Sequence, residues 1–195
     1  GDSSKASRGK STPAKASVAP VALEAQVTGE KSVTVKAGDT VTFTVDAKTS
    51  KKIGAYKITT NYDASALALD TTYSKDGVDT LGSSKGIEAV NTETAGKIRA
   101  AVLAPADCYT AKNSTAIQTV RFTAKKAGTY NISYTIDEML DDNDNDLVVN
   151  AKPVSGLSIS QNAAVQSGTV DSATGSTKVT FKAGDTVTYK VDFKF

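Results

Sequence analysis

Alternation of apolar and polar residues, built largely from β-branched side chains, is the feature that most constrains this chain. Between residues 33 and 45 the sequence reads "VTVKAGDTVTFTV", with Val or Phe at most odd positions and Thr or Lys at most even ones. Successive side chains of a strand point to opposite faces, so this period of two predicts half-buried strands. Gly38 and Asp39 interrupt the pattern with residues that favour a turn. The stretch is therefore predicted to be strand, turn and strand.

The same alternation recurs along most of the chain and favours an all-β fold. Further strands are predicted at residues 54–63, 65–70, 87–94, 97–104 and 153–160, and two long strands flank "KKAG" within residues 115–140. These patterns give about nine strands and no helix. Closely spaced strands separated by turn residues indicate an antiparallel β-sandwich.

A long internal repeat divides the chain into predicted segments. The heptapeptide "KAGDTVT" occurs at residues 36–42 and again at 182–188, which is an offset of 146 residues. An offset of that size suits a whole domain plus a linker. We therefore predict a linker at 1–20, a sandwich at 21–160, a second linker at 161–177 and a copied strand pair at 178–195. The copy has two interpretations: the truncated start of a next module in tandem, or a strand pair donated to a neighbouring chain.

Composition excludes several classes of function. The chain has no histidine and a single cysteine, Cys108, which rules out Ser-His and Cys-His catalysis, intrachain disulfides and cysteine zinc sites. A net charge of +2 gives no indication of a nucleic-acid partner. No run approaches the roughly 20 apolar residues of a membrane helix, so membrane insertion is not predicted. With no positioned carboxylate pair in evidence either, the sequence predicts a protein that is not an enzyme.

Several stretches, taken in order, resemble the cohesin module of cellulosome-type scaffoldins. "VTVKAGDTVTFTVDAK" resembles the opening strands of that family, "GAYKITTNYDASALAL" its third strand, and "KIRAAVLA" its sixth. "IQTVRFTAKKAGTYNISY" resembles strands seven and eight, and "DNDNDLV" the loop before the last strand. Together these pieces cover roughly residues 21–160.

The resemblance implies a fold, a partner and a binding surface. The implied fold is a nine-stranded antiparallel jelly-roll β-sandwich, here with a disordered N-terminal linker. The implied function is a non-catalytic module of a secreted or bacterial cell-surface scaffold that binds a dockerin-type domain through one sheet face. The positions carried over to that face are Lys57, Thr59, Asn61, Glu88, Thr92, Arg99, Ala101 and Leu103.

Two alternatives to this functional interpretation stay open. The face could be an ordinary solvated sheet surface on which Leu103 is a stray apolar residue, because Ile98, Ala100 and Val102 form the better core face of that strand. The whole chain could also be a structural surface or fibre subunit that assembles by strand donation through residues 178–195. In that case the protein would bind other copies of itself.

An acidic stretch, "DEMLDDNDNDLVV", is the one candidate for metal binding. Asp142, Asp144 and Asp146 have the spacing of the first three ligands of an EF-hand loop. The match then fails, because Leu147 stands where the loop needs Gly and Pro153 where it needs Glu. Two hypotheses remain, a looser Ca²⁺ site or a loop whose Asp and Asn side chains bind their own backbone. No cofactor is otherwise required.

Overall fold

The structure, a computed structural model, describes residues 27–168, 170–172 and 175–177. These residues contain thirteen strands. The strands are β1 Val27–Val35, β2 Thr40–Asn61, β3 Leu67–Leu69, β4 Val78–Thr80, β5 Ile87–Asn91, β6 Lys97–Leu103, β7 Tyr109–Ala124, β8 Gly128–Asp141, β9 Val148–Val149, β10 Lys152–Pro153, β11 Ser158–Gln166, β12 Val170–Ser172 and β13 Gly175–Thr177. All strand pairs are antiparallel, and the described residues contain no helix. No bilayer-spanning helix occurs within these ranges.

The long strand β2 joins the two layers of the sandwich. Its first half pairs with β7 and β11, and its second half, from Ile53 onward, pairs with β6 and β8. Register shifts after Val45, Ala47 and Thr49 lie between these halves, where bulges allow a strand to bend from one sheet into the next. We call β5, β6, the second half of β2, β8 and β1 the front sheet. We call β11, the first half of β2, β7, β3 and β4 the back sheet.

Nine strands are connected in this hydrogen-bonded network, and the predicted nine-stranded antiparallel sandwich is confirmed. The core is built from the apolar side of the alternation, so that Val41, Phe43 and Val45 are all fully buried. Polar contacts also cross between the layers. The hydroxyl of Tyr56 donates to the carbonyl of Ile117 at 2.7 Å, and the side-chain amide of Gln118 donates to Thr60 Oγ1 at 2.6 Å.

The last strand of the sandwich continues past the predicted boundary at residue 160. β11 runs to Gln166, so residues 161–166 pair with β2 and do not form the linker that the sequence suggested. Ala163 and Val165 lie opposite Phe43 and Val41 and pack against the core. The Ser, Asn and Gln residues around them dilute the apolar signal, which explains the difference. Residues 170–177 contribute the β12–β13 pair, whereas residues 1–20 and 178–195 lie outside the described residues.

Candidate functional site

The outer side of the front sheet carries most of the residues that the sequence selected. On β2, Tyr56, Ile58 and Thr60 are buried, which turns Lys57, Thr59 and Asn61 outward. On β6, Ile98, Ala100 and Val102 are buried in the same way. The predicted outward residues of β6 are Arg99, Ala101 and Leu103. We call the outward side of β5, β6, the second half of β2 and β8 the front face.

Cross-strand register arranges the front face in rows, because directly opposed residues of an antiparallel pair point to the same side. One row is apolar throughout. It runs across the four strands through Ile87, Leu103, Ala55 and Leu140. We call these four residues the apolar row. Two residues further along the strands, the next row contains Ala89, Ala101, Lys57 and Glu138.

Two members of the apolar row are unusually open to solvent. Ile87 is 68% exposed and Leu103 is 55% exposed, and the two residues lie directly opposite each other on β5 and β6. The one other large apolar side chain that is exposed among the described residues is Val149, at 43%. Adjacent exposed aliphatic side chains cost free energy in water, so their position together is typical of an interaction surface.

Beyond the apolar row, the front face carries several charged side chains and contains a shallow groove. The groove has a volume of about 1140 Å³, and four cationic side chains line it: Lys57, Lys75, Lys97 and Arg99. On its β8 side, a register shift gives β8 one extra residue, so Asp137 and Glu138 lie side by side. Asp137 Oδ2 accepts a hydrogen bond of 2.7 Å from the hydroxyl of Thr59. Glu138 Oε1 lies 4.0 Å from Lys57 Nζ.

The fifth strand is where the sequence-based selection of face residues and the structure differ. Glu88 lies opposite the buried Val102, so its side chain points away from the front face. There its carboxylate accepts hydrogen bonds from Thr80, the last residue of β4, and from Ser83 in the loop that follows. Thr92 lies just beyond the end of β5 and is half-buried. The residues of β5 that do face outward are Ile87, Ala89 and Asn91.

The acidic loop does not bring its predicted calcium ligands together. Within the described ranges, no group of three or more Asp, Glu, Cys or His residues is placed to hold a metal ion, and Asp142, Asp144 and Asp146 are all exposed. Asp141, which the sequence did not select, organises the loop by accepting the backbone N–H groups of Asn143 and Asn145 at 2.8 and 2.9 Å. The Asn145 N–H above all holds the pKa of Asp141 below its usual value. The loop therefore satisfies its own backbone.

Comparison with known proteins places this arrangement in a family. The family model described as "Cohesin domain" matches residues 26–160. No curated protein is significantly similar in sequence to the chain. Among solved structures, the sixth cohesin of scaffoldin B from Acetivibrio cellulolyticus, in complex with a mutant dockerin, is 17% identical, with a TM-score of 0.46 over 64% of this chain and 93% of that one.

Two further solved structures are similar in the same degree. A type I cohesin–dockerin complex from Clostridium thermocellum matches with 14% identity and a TM-score of 0.49, covering 62% of this chain and 90% of that one. The solution structure of CaCohA2 from Clostridium acetobutylicum is 22% identical, with a TM-score of 0.44 over 63% and 84% of the two chains. The family model spans more than half of the sequence and nearly the whole sandwich, and on that match the chain belongs to the cohesin family.

Proposed function

We propose that this chain is a non-catalytic module of an extracellular scaffold and binds a dockerin-type domain through the front face. Membership of the cohesin family supports a protein–protein interaction module. The observation that carries the choice of surface is the apolar row, with Ile87 and Leu103 exposed side by side. A secreted or cell-surface location is part of the same proposal.

The make-up of the front face fits a protein partner. Stable interfaces have an apolar centre and a polar rim, and a few well-packed side chains supply most of the binding energy. The apolar row supplies the apolar centre, and Lys57, Thr59 and Arg99 supply polar groups beside it. From β5 to β8 the face is three strand spacings wide, about 14 Å. That width matches the diameter of an α-helix, about 10–12 Å.

The direct test is binding to defined dockerins. The full chain is titrated by calorimetry with calcium-loaded dockerins from the Acetivibrio and Clostridium complexes, and again with the calcium chelated. We expect binding to at least one dockerin, and only in the calcium-loaded form, because cohesin partners are expected to fold around calcium. If no dockerin of the panel binds, the proposal is overturned.

A pair of matched variants locates the surface. Leu103→Arg places a charge in the apolar row, and Thr123→Arg places the same charge on the exposed side of β7 in the back sheet. We expect the first variant to weaken binding at least about a hundredfold, as loss of a central interface residue does, and the second to leave it unchanged. Equal affinity of both variants and the wild type would exclude the front face.

A second candidate function, self-assembly by strand donation, is favoured by the internal repeat. In the first copy the repeated apolar positions are fully or almost fully buried, as at Val33, Val41 and Phe43. The second copy at 178–195 has the same apolar pattern and needs a sheet to cover it, from its own module or from a neighbouring chain. Sedimentation at micromolar concentration separates the two cases. A strand donor forms oligomers that deletion of residues 171–195 abolishes, whereas a dockerin-binding module sediments as a monomer.

A further inference from the structure

We propose that the front face selects an acidic partner: a dockerin-type surface with an aliphatic anchor for the apolar row and carboxylates over the groove beside it. This inference rests on the proposed function and adds the charge of the partner to it. The observation behind it is the unequal balance of charge in the groove, where the cationic side chains Lys57, Lys75, Lys97 and Arg99 outnumber the carboxylates that point inward.

Among the described residues, the acidic groups around the groove leave most of this positive charge without a partner. Glu88 is among the residues that line the groove, but its carboxylate accepts hydrogen bonds from Thr80 and Ser83 on the other side of the sheet. The carboxylate of Asp137 accepts a hydrogen bond from the hydroxyl of Thr59, and the carboxylate of Glu138 lies beside the ammonium group of Lys57.

The remaining three cations have no acidic partner in the described part of the chain. Lys75, Lys97 and Arg99 lie within 4.0 Å of no carboxylate of the described residues. Of these, Arg99 is exposed at the middle of β6 and faces the same side as Leu103. Its guanidinium group carries a fixed fork of donors that matches a carboxylate in two parallel hydrogen bonds. A partner carboxylate would therefore meet a cation that no described carboxylate of this chain already neutralises.

The distance between the two features sets the pattern on the partner. Leu103 and Arg99 are four residues apart on β6, which corresponds to about 13 Å at the rise of a strand. On an α-helix, the position nearest to this spacing that stays on the same face is seven residues, or about two turns, away, at about 11 Å. The length of an acidic side chain covers the remaining difference. A recognition helix that lies along β6 would thus carry an aliphatic residue and, about two turns away, an acidic one. A basic residue at that second position would meet Arg99 and be rejected by like-charge repulsion.

The experiment compares two versions of one dockerin against the full chain. The probe is the calcium-loaded dockerin that binds most tightly in the panel, prepared with Glu or with Lys at the exposed helix position about two turns from its aliphatic anchor. We expect the Glu version to bind at least about tenfold more tightly than the Lys version, because opposite charges match in one case and like charges meet in the other. High salt should reduce the difference, since exposed charges are screened.

Two charge-reversal variants of this chain complete the test. The groove variant, Lys97→Glu with Arg99→Glu, reverses the charge on the β6 side of the groove. The turn variant, Lys125→Glu with Lys126→Glu, makes the same change in net charge at the exposed turn after β7. The groove variant should reverse the preference between the two dockerin versions, and the turn variant should retain it. Equal binding of both versions to the wild type, or reversal by the turn variant, would overturn this inference alone. If neither version binds, the proposed function itself fails.

Discussion

At the scale of single residues, the buried hydroxyl of Tyr56 links the two layers of the sandwich. Tyr56 belongs to the front sheet and is 1% exposed. Its hydroxyl donates to Ile117 in the back sheet and accepts the backbone N–H of Leu81 at 3.1 Å. Burial raises the pKa of this phenol, so it stays protonated as a donor at all ordinary pH values. The hydrogen bond from Tyr56 to Ile117 helps to hold the two sheets together beneath the front face.

Removal of this hydroxyl should be costly although the aromatic ring remains. Tyr56→Phe leaves a buried carbonyl and a backbone N–H without partners, so we expect a loss of about 1–3 kcal/mol in the free energy of unfolding. The matched control is Tyr62→Phe, because the half-buried Tyr62 packs its ring on Phe122 and its hydroxyl has no hydrogen-bond partner among the described residues. Urea denaturation measures both. A loss no greater for Tyr56→Phe than for the control would contradict this role.

Asp141 should make stability depend on pH in the acidic range. Its pKa is lower in the folded chain than the usual 3.8, because backbone N–H groups of the loop stabilise the carboxylate. The ionised form therefore stabilises the fold above that pH, and the contribution disappears as the pH falls through the folded value.

The variant Asp141→Asn isolates this effect. It keeps an acceptor oxygen but no charge, so the wild type should be more stable than the variant at pH 7. At about pH 2 the difference should be smaller than at pH 7, because the stabilising contribution of the carboxylate decreases as the pH falls below 3.8. Thermal unfolding at the two pH values measures it, and an unchanged difference would exclude Asp141 as the source.

At the scale of elements, the length of β11 places the end of the module beyond residue 160. A chain that ends at residue 160 lacks the pairs of Gln161, Ala163 and Val165 with β2, whereas a chain that ends at residue 168 keeps them. The longer chain also keeps the hydrogen bond from the Gly168 N–H to Asp39 Oδ1 at 3.1 Å, and that of Tyr134 with Gln161 at 2.9 Å. We expect the shorter chain to be less stable by about 2–4 kcal/mol, from lost apolar burial and lost hydrogen bonds. If the two chains have the same urea midpoint, residues 161–168 add no stability and the module ends at residue 160.

The strands also show what the sequence can and cannot predict. On β6 the two faces differ clearly, with Ile98 and Val102 on one side and Arg99 on the other, so alternation assigned them correctly. On β5 apolar residues occur on both sides, as Ile87 and Val90 illustrate, and only the register with β6 decides which side is buried. The family resemblance pointed to Glu88 by position, and alternation on β5 gave no means of replacing it with the outward-facing Ile87.

Alternation of apolar and polar residues predicts neither the positions of β-bulges nor the paths of loops. The extra residue that puts Asp137 beside Glu138 arises from pairing with β2 and leaves no mark on β8 alone. The spacing of Asp142, Asp144 and Asp146 matched a metal-binding loop, but the path of the backbone set their positions. Asp144, for instance, has a φ of 61°, a left-handed conformation in which Asp is better tolerated than most residues.

At the scale of the whole molecule, the sandwich presents two outer surfaces of different character. The front face combines the apolar row with cations that no described carboxylate neutralises. The outer side of the back sheet contains small hydroxyl residues at paired positions, among them Thr40 opposite Thr123 and Thr44 opposite Thr119. A protein partner that needs an apolar anchor therefore finds one on the front face and none among these threonines. Because of this asymmetry, the sheet that docks a partner can be identified directly by experiment.

That experiment is methyl NMR of the full chain titrated with its calcium-loaded dockerin. The methyl groups of Ile87, Leu103 and Leu140 report on the apolar row, and those of Thr42, Thr119 and Thr123 report on the back sheet. Docking on the front face predicts large chemical-shift changes for the first set and little change for the second. Changes concentrated in the back-sheet threonines, with the apolar row unaffected, would contradict the account.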